Sequence, residues 1–154
     1  MRQIIDRRSV LGICVGSAAG AALLASGTPS QAADTTFKAE LKGSSEVPPN
    51  TTGGTGSVTA SYDASTKTLT WNGTFSGLTG PATAAHFHGP AEPGKNAGVA
   101  VWMSEKGKTF DSPFKGSAKL TDAQASDLMG GQWYVNIHTK ANPGGEIRGQ
   151  LEKS

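Results

Sequence analysis

Residues 34–154 predict an all-β domain, a sandwich or flattened barrel of about eight strands with one short helix near 122–129. Three observations carry this reading. Short segments alternate apolar and polar residues, the period of a half-buried strand. Turn-forming residues separate them at close intervals, with 21 glycines in the chain. One stretch alone carries paired start and stop signals for a helix.

The first 33 residues read as a secretory signal peptide rather than as part of the fold. Arg7-Arg8 opens a charged region, a weakly apolar run continues to about Ala25, and Ser30-Gln31-Ala32-Ala33 supplies small residues for cleavage. The pattern Asp6-Arg7-Arg8-Ser9-Val10-Leu11 resembles a twin-arginine (Tat) export signal, with an ordinary Sec signal as the alternative. Gly and Ser dilute the run below the roughly 20 strongly apolar residues of a spanning helix, so no membrane insertion is expected after cleavage. Leu11-Gly12-Ile13-Cys14 is a poor lipoprotein box, because Ile stands where a small residue belongs.

Strands are expected near Thr36–Lys42, Gly56–Tyr62, Thr68–Ser76, Ala82–His88, Gly98–Met103, Phe114–Leu120, Gln132–Thr139 and Glu146–Glu152. Asp63-Ala64-Ser65-Thr66 supplies a hairpin turn. Leu69, Trp71 and Phe75 alternate with Thr70, Asn72 and Thr74, so one side is buried and the other solvated. Phe87, Trp133, Val135, Ile137, Ile147 and Leu151 belong to the same predicted core. Thr121 and Gln124 make a capping box, and Gly130-Gly131 ends a helix of two turns. Two loops stand out. Glu46-Val47-Pro48-Pro49-Asn50 cannot lie in a central strand, because proline removes ladder donors; it is a rigid connection or a binding loop. Gly89–Asn96 follows the fourth strand directly and either shapes a site or forms a solvated turn.

Composition excludes several functions. Without the leader the chain loses Arg2, Arg7, Arg8 and Asp6, leaving eleven basic and eleven acidic side chains. A neutral domain with no basic run argues against nucleic acid and against electrostatic membrane docking. Cys14 is the one cysteine and leaves with the leader, so disulfides, thiolate ligands and a cysteine nucleophile are excluded. No Gly-x-Ser-x-Gly elbow is present, and Gly53-Gly54-Thr55-Gly56 leads into a strand rather than a helix. About 120 residues suffice for one self-supporting core.

The chemistry that remains lies with the histidines. His86 and His88 sit two apart on one strand and share a face, opposite Ala85 and Phe87. Tyr134, Asn136 and His138 share the polar face of another strand. Glu146, Arg148 and Gln150 line a polar face of a third, and pairing with the strand of His138 would merge the two. Neutral imidazole is a good ligand for copper and zinc. Three nitrogens leave an open position, unlike a closed structural zinc site. The competing reading is three structural or solvated histidines. If the three do hold an ion, affinity is expected to fall as pH drops below roughly 6.5, the reference imidazole pKa.

Several motifs in order resemble the CHRD domain, the module first described in chordin and found singly in bacterial exported proteins. They are Phe37-x-Ala39-x-Leu41-x-Gly43, Glu46-Val47-Pro48-Pro49, Ala84–Pro90, Leu120-Thr121, Tyr134–Thr139 and Gly145–Leu151. The resemblance runs from about residue 36 to 152 and makes 34–154 the domain. It implies a Greek-key, immunoglobulin-like β-sandwich distantly similar to Cu/Zn superoxide dismutase. By that similarity His86-x-His88 resembles the dismutase's His-x-His copper ligands, His138 its later ligand, and Arg148 its anion-guiding arginine. The departures are a missing bridging histidine, a missing zinc subsite and no cysteines for a disulfide.

Three functions fit. The first is a protein exported to the periplasm or secreted, holding copper, or alternatively zinc, through His86, His88 and His138, with Asn136, Glu146 and Arg148 as supporting or anion-binding groups. The second is a redox enzyme using that metal. The third is a metal-free module that meets a protein partner in the cell envelope. Replacing both Arg7 and Arg8 by Lys is expected to abolish export, read by fractionation; unchanged export of that variant would make Sec the route.

Overall fold

The computed structural model describes residues 34–154; the predicted leader over 1–33, with Arg7, Arg8 and Cys14, lies outside them. The strands are β1 (Thr35–Lys42), β2 (Thr55–Asp63), β3 (Thr68–Ser76), β4 (Ala82–His88), β5 (Val99–Trp102), β6 (Phe114–Lys119), β7 (Tyr134–Thr139), β8 (Ile147–Gln150) and β9 (Glu152–Lys153). One helix, α1 (Asp122–Met129), joins β6 to β7. Its capping box is complete: Gln124 N donates to Thr121 Oγ1 at 3.2 Å, and Thr121 N donates to Gln124 Oε1 at 2.9 Å. Among the described residues, no helix is long and apolar enough to cross a membrane.

All strand pairings are antiparallel, in the order β5-β4-β7-β8-β1-β2-β3-β6, with β9 paired to β1. A bridge between Ala82 and Phe110 brings the approach to β6 back to β4, so the sheet curls into a nearly closed, flattened barrel. β4 follows β3 in sequence, yet β6 flanks β3 in space, and β7 lands beside β4. Connections that skip over neighbours in this way are the Greek-key pattern. The two halves meet face to face: Trp71 of β3 and Phe87 of β4 pack edge to face with ring centroids 5.4 Å apart.

The alternation read from sequence places the core. Leu69, Trp71, Phe87, Trp133, Val135, Ile137, Ile147 and Leu151 are all buried. Phe75, expected with them, is only partly buried: it lies at the end of β3 and stacks against Phe110 and Phe114 near the mouth of the barrel. The single strand expected over Glu146–Glu152 is two, β8 and β9. Leu151 N donates to Trp133 O at 2.9 Å, after which the chain changes partner from β7 to β1. At this seam Gly149 is required, because a Cβ there would strike the Glu40 carbonyl of β1.

Glu146 ties together the loops at one end of the barrel. It is fully buried and ends the turn before β8. Its carboxylate accepts from Thr52 Oγ1 (2.8 Å), Thr79 N (2.7 Å), Thr79 Oγ1 (2.7 Å), Thr139 Oγ1 (2.5 Å) and Asn142 Nδ2 (3.1 Å). Burial opposes its charge, but the bonds from Thr139, Thr79 and Thr52 overcome that and hold the pKa down to about 2. The unfolded chain therefore takes up this proton first, and the stabilisation is lost as pH falls from about 4.5 to about 2. Glu146→Gln is expected to cost roughly 3 kcal/mol at pH 7, since donors that shared an anion lose it in a buried site. It should also remove this segment of the acid-unfolding curve. Denaturant titration checks both; wild-type stability in the variant would contradict the assignment.

Candidate metal centre

The outward face of β4 and β7 carries His86, His88, Tyr134, Asn136 and His138. The register pairs His86 with Asn136, His88 with Tyr134 and Ala84 with His138, so His86 and His138 are diagonal neighbours. The three histidines, two and fifty-two positions apart at the extremes, meet in space: each offers one nitrogen, and these lie within 4.8 Å of one another.

 Two nitrogens bound to one ion at roughly 2.0–2.1 Å can be no more than about 4.2 Å apart, so a ring movement on the order of 1 Å gathers the set.

This polar face is not open to water. His86, His88, Asn136, Tyr134 and Arg148 are buried, and His138 is partly exposed. Both loops singled out in the sequence cover it. Asn96 Nδ2 donates to Val47 O at 3.0 Å and joins one loop to the other. Arg148 donates to Asn96 Oδ1 (2.8 Å) and Lys95 O (2.6 Å), and its guanidinium lies 3.4 Å from the Tyr134 ring centre. His88 stacks in parallel with Tyr134, centroids 4.8 Å apart.

Main-chain carbonyls orient two of the rings. His138 Nδ1 donates to Pro143 O at 2.9 Å, which turns the Nε2 lone pair towards His86 Nδ1, 3.0 Å away. His88 Nδ1 donates to Ala97 O at 3.0 Å and leaves Nε2 beside Asn136 Oδ1, also at 3.0 Å. His86 Nε2 is buried without a hydrogen-bond partner, and its ring packs edge to face against Trp102, centroids 4.2 Å apart. Burial, then the neighbouring His138 and His88, push the His86 pKa down to about 4. Burial also lowers His88 and His138. All three are therefore neutral at pH 7, the form that ligates.

The structure brings His86, His88, His138 and Asn136 together, with Arg148 on the strand beyond. It does not bring Glu146: its partners are Thr52, Thr79, Thr139 and Asn142, so it is a clamp of the barrel end and not a support for the histidines. Strand alternation grouped it with Arg148, but β8 begins only at Ile147, after Gly145 with φ 133°. The carboxyl near Arg148 is instead Glu46, 5% exposed, whose Oε1 has no hydrogen-bond partner. Arg148 is buried and already bonded to the Gly89–Asn96 loop, so it serves as a strut under that loop. Glu46 and Trp102 were missed as site residues. The loop of Glu46 was conspicuous through its prolines, but a loop has no period from which to read where a side chain points.

A family model for the CHRD domain matches residues 37–151. The chain belongs to the CHRD domain family. Comparison with curated proteins and with solved structures finds no match. The CHRD motifs quoted from the sequence fall on β1, β4, β7 and β8, on the first covering loop and, for Leu120-Thr121, at the start of α1, so in this chain most of them build the seam of the barrel and the histidine face.

Proposed function

We propose that this CHRD domain is an exported metal-binding protein that holds copper, with zinc as the alternative, through His86 Nδ1, His88 Nε2 and His138 Nε2. The convergence of the three imidazoles carries this reading: they lie within 4.8 Å on a covered face, with carbonyls turning His88 and His138 inward. Three nitrogen donors without thiolate suit copper(II) or zinc, and copper(II) stands higher in the affinity order for nitrogen sites. The bound ion would sit between His86 and His138, and the His86 proton would move from Nδ1 to the unpartnered Nε2. Export rests on the leader read from residues 1–33. A redox role for the same ion and a metal-free role in protein recognition are the competing readings.

Titration calorimetry of untagged protein with copper(II) and zinc tests the proposal. One ion per chain is expected, with most binding lost in His86→Ala and in His138→Ala. The depressed imidazoles change the pH dependence expected from the sequence. His86 competes for protons only towards about 4, so binding should persist well below pH 6.5 before falling. No uptake, or uptake unchanged by both substitutions, would leave protein recognition as the reading.

A further inference from the structure

The hydrogen-bond inventory around His88 does not close as a local matter, and its closure leads to Glu46. Ala97 O can only accept, so the His88 proton is on Nδ1, and Nε2 of the neutral ring presents a lone pair. An amide oxygen cannot bond to a lone pair. The Asn136 side chain, 3.0 Å from Nε2, must therefore present its NH2 group there; the two ends of an amide are assigned by their partners. Its oxygen then faces the other way, towards Gly145. A Cβ on Gly145 would strike Glu46 Oε1 and lie 2.8 Å from the outer end of the Asn136 amide, so these two groups face each other across that glycine. Glu46 Oε1 is the buried oxygen with no partner. An amide oxygen facing a carboxyl needs the carboxyl to carry the proton.

We propose that Glu46 is a positioning residue of the metal site: protonated in the metal-free protein, it holds Asn136 against His88, and it gives up its proton when His88 Nε2 takes the ion. This deepens the metal-binding reading and rests on it. In the metal-free chain Glu46 O–H donates to Asn136 Oδ1, directly or across one water, Asn136 Nδ2–H donates to His88 Nε2, and His88 Nδ1–H donates to Ala97 O. The ion takes the Nε2 lone pair and displaces the Asn136 NH2. The amide turns its NH2 to Glu46, which becomes a carboxylate beside Arg148. The proton leaves to solvent through the open cleft of about 490 Å³ that Glu46 shares with Ser44, Ser45, Pro93, Gly94 and Arg148. Nδ1 of His88 keeps its proton throughout.

The charged and titratable groups around Glu46 are Arg148 from β8 and, across Asn136, His88 from β4. Burial lifts the Glu46 pKa to about 7, against the pull of Arg148, in keeping with a protonated carboxyl.

Copper(II) binding is measured by calorimetry at pH 6 in buffers of different ionisation enthalpy, which counts protons released. Wild type is expected to release about one proton more per ion than Glu46→Gln, because glutamine keeps the donor to Asn136 and has no proton to lose, while any protons displaced from the imidazoles are common to both. Equal proton counts in the two proteins would overturn the proposal. Carbon-13 titration of the Glu46 carboxyl in metal-free protein reads the relay without any ion. A midpoint well above the usual carboxylate range supports it, and an ionised Glu46 at pH 6 overturns it. If neither protein takes up copper(II), the metal reading and the proton release fail together, while the carbon-13 titration still decides whether the relay exists.

Discussion

Covering a polar sheet face is the constraint on which the rest of this structure depends. Had β4 and β7 shown their outer side to water, every ring nitrogen would find a partner in solvent. Under two loops the partners must come from the protein, and His86 Nε2 alone among the ring nitrogens has none. The Ala97 and Pro143 carbonyls meet that demand for His88 and His138, and in doing so turn the other nitrogens towards a common centre. The burial that makes these bonds necessary also keeps the imidazoles neutral. Ligand geometry and ligand protonation therefore share one cause.

The two buried glutamates show how much partners decide. Glu146 meets five donors from four residues and stays ionised. Glu46 is equally enclosed but lacks a donor to Oε1, and its pKa moves the other way despite Arg148 nearby. The first fastens the loops at one end of the barrel. The second stands behind the histidine face. Both belong to turns rather than strands, so the barrel supplies the frame and its turns set the charge.

Much of this was legible in the sequence. Eight of the nine residues that period-two alternation placed in the core are buried, and the same period put His86 and His88 on one face, because a strand has a fixed repeat. The capping box marked α1 through local chemistry alone. The meeting of His138 with His86 depended on β7 lying beside β4, a long-range pairing that spacing does not encode. The CHRD resemblance supplied that expectation. Glu46 and Trp102 escaped because their roles come from loop paths and from the partner strand. Glu146 was misplaced because alternation was carried one residue beyond the start of β8. The cover over the histidine face was illegible for a related reason: alternation tells which residues share a side, and not what covers it.

Electron paramagnetic resonance of the protein loaded with one equivalent of copper(II) tests the central claim most directly, because nitrogen couplings count the imidazoles on the ion. Three are predicted in the wild type and two in a variant lacking His138. A spectrum of hydrated copper, or one unchanged by removing His138, would contradict the account.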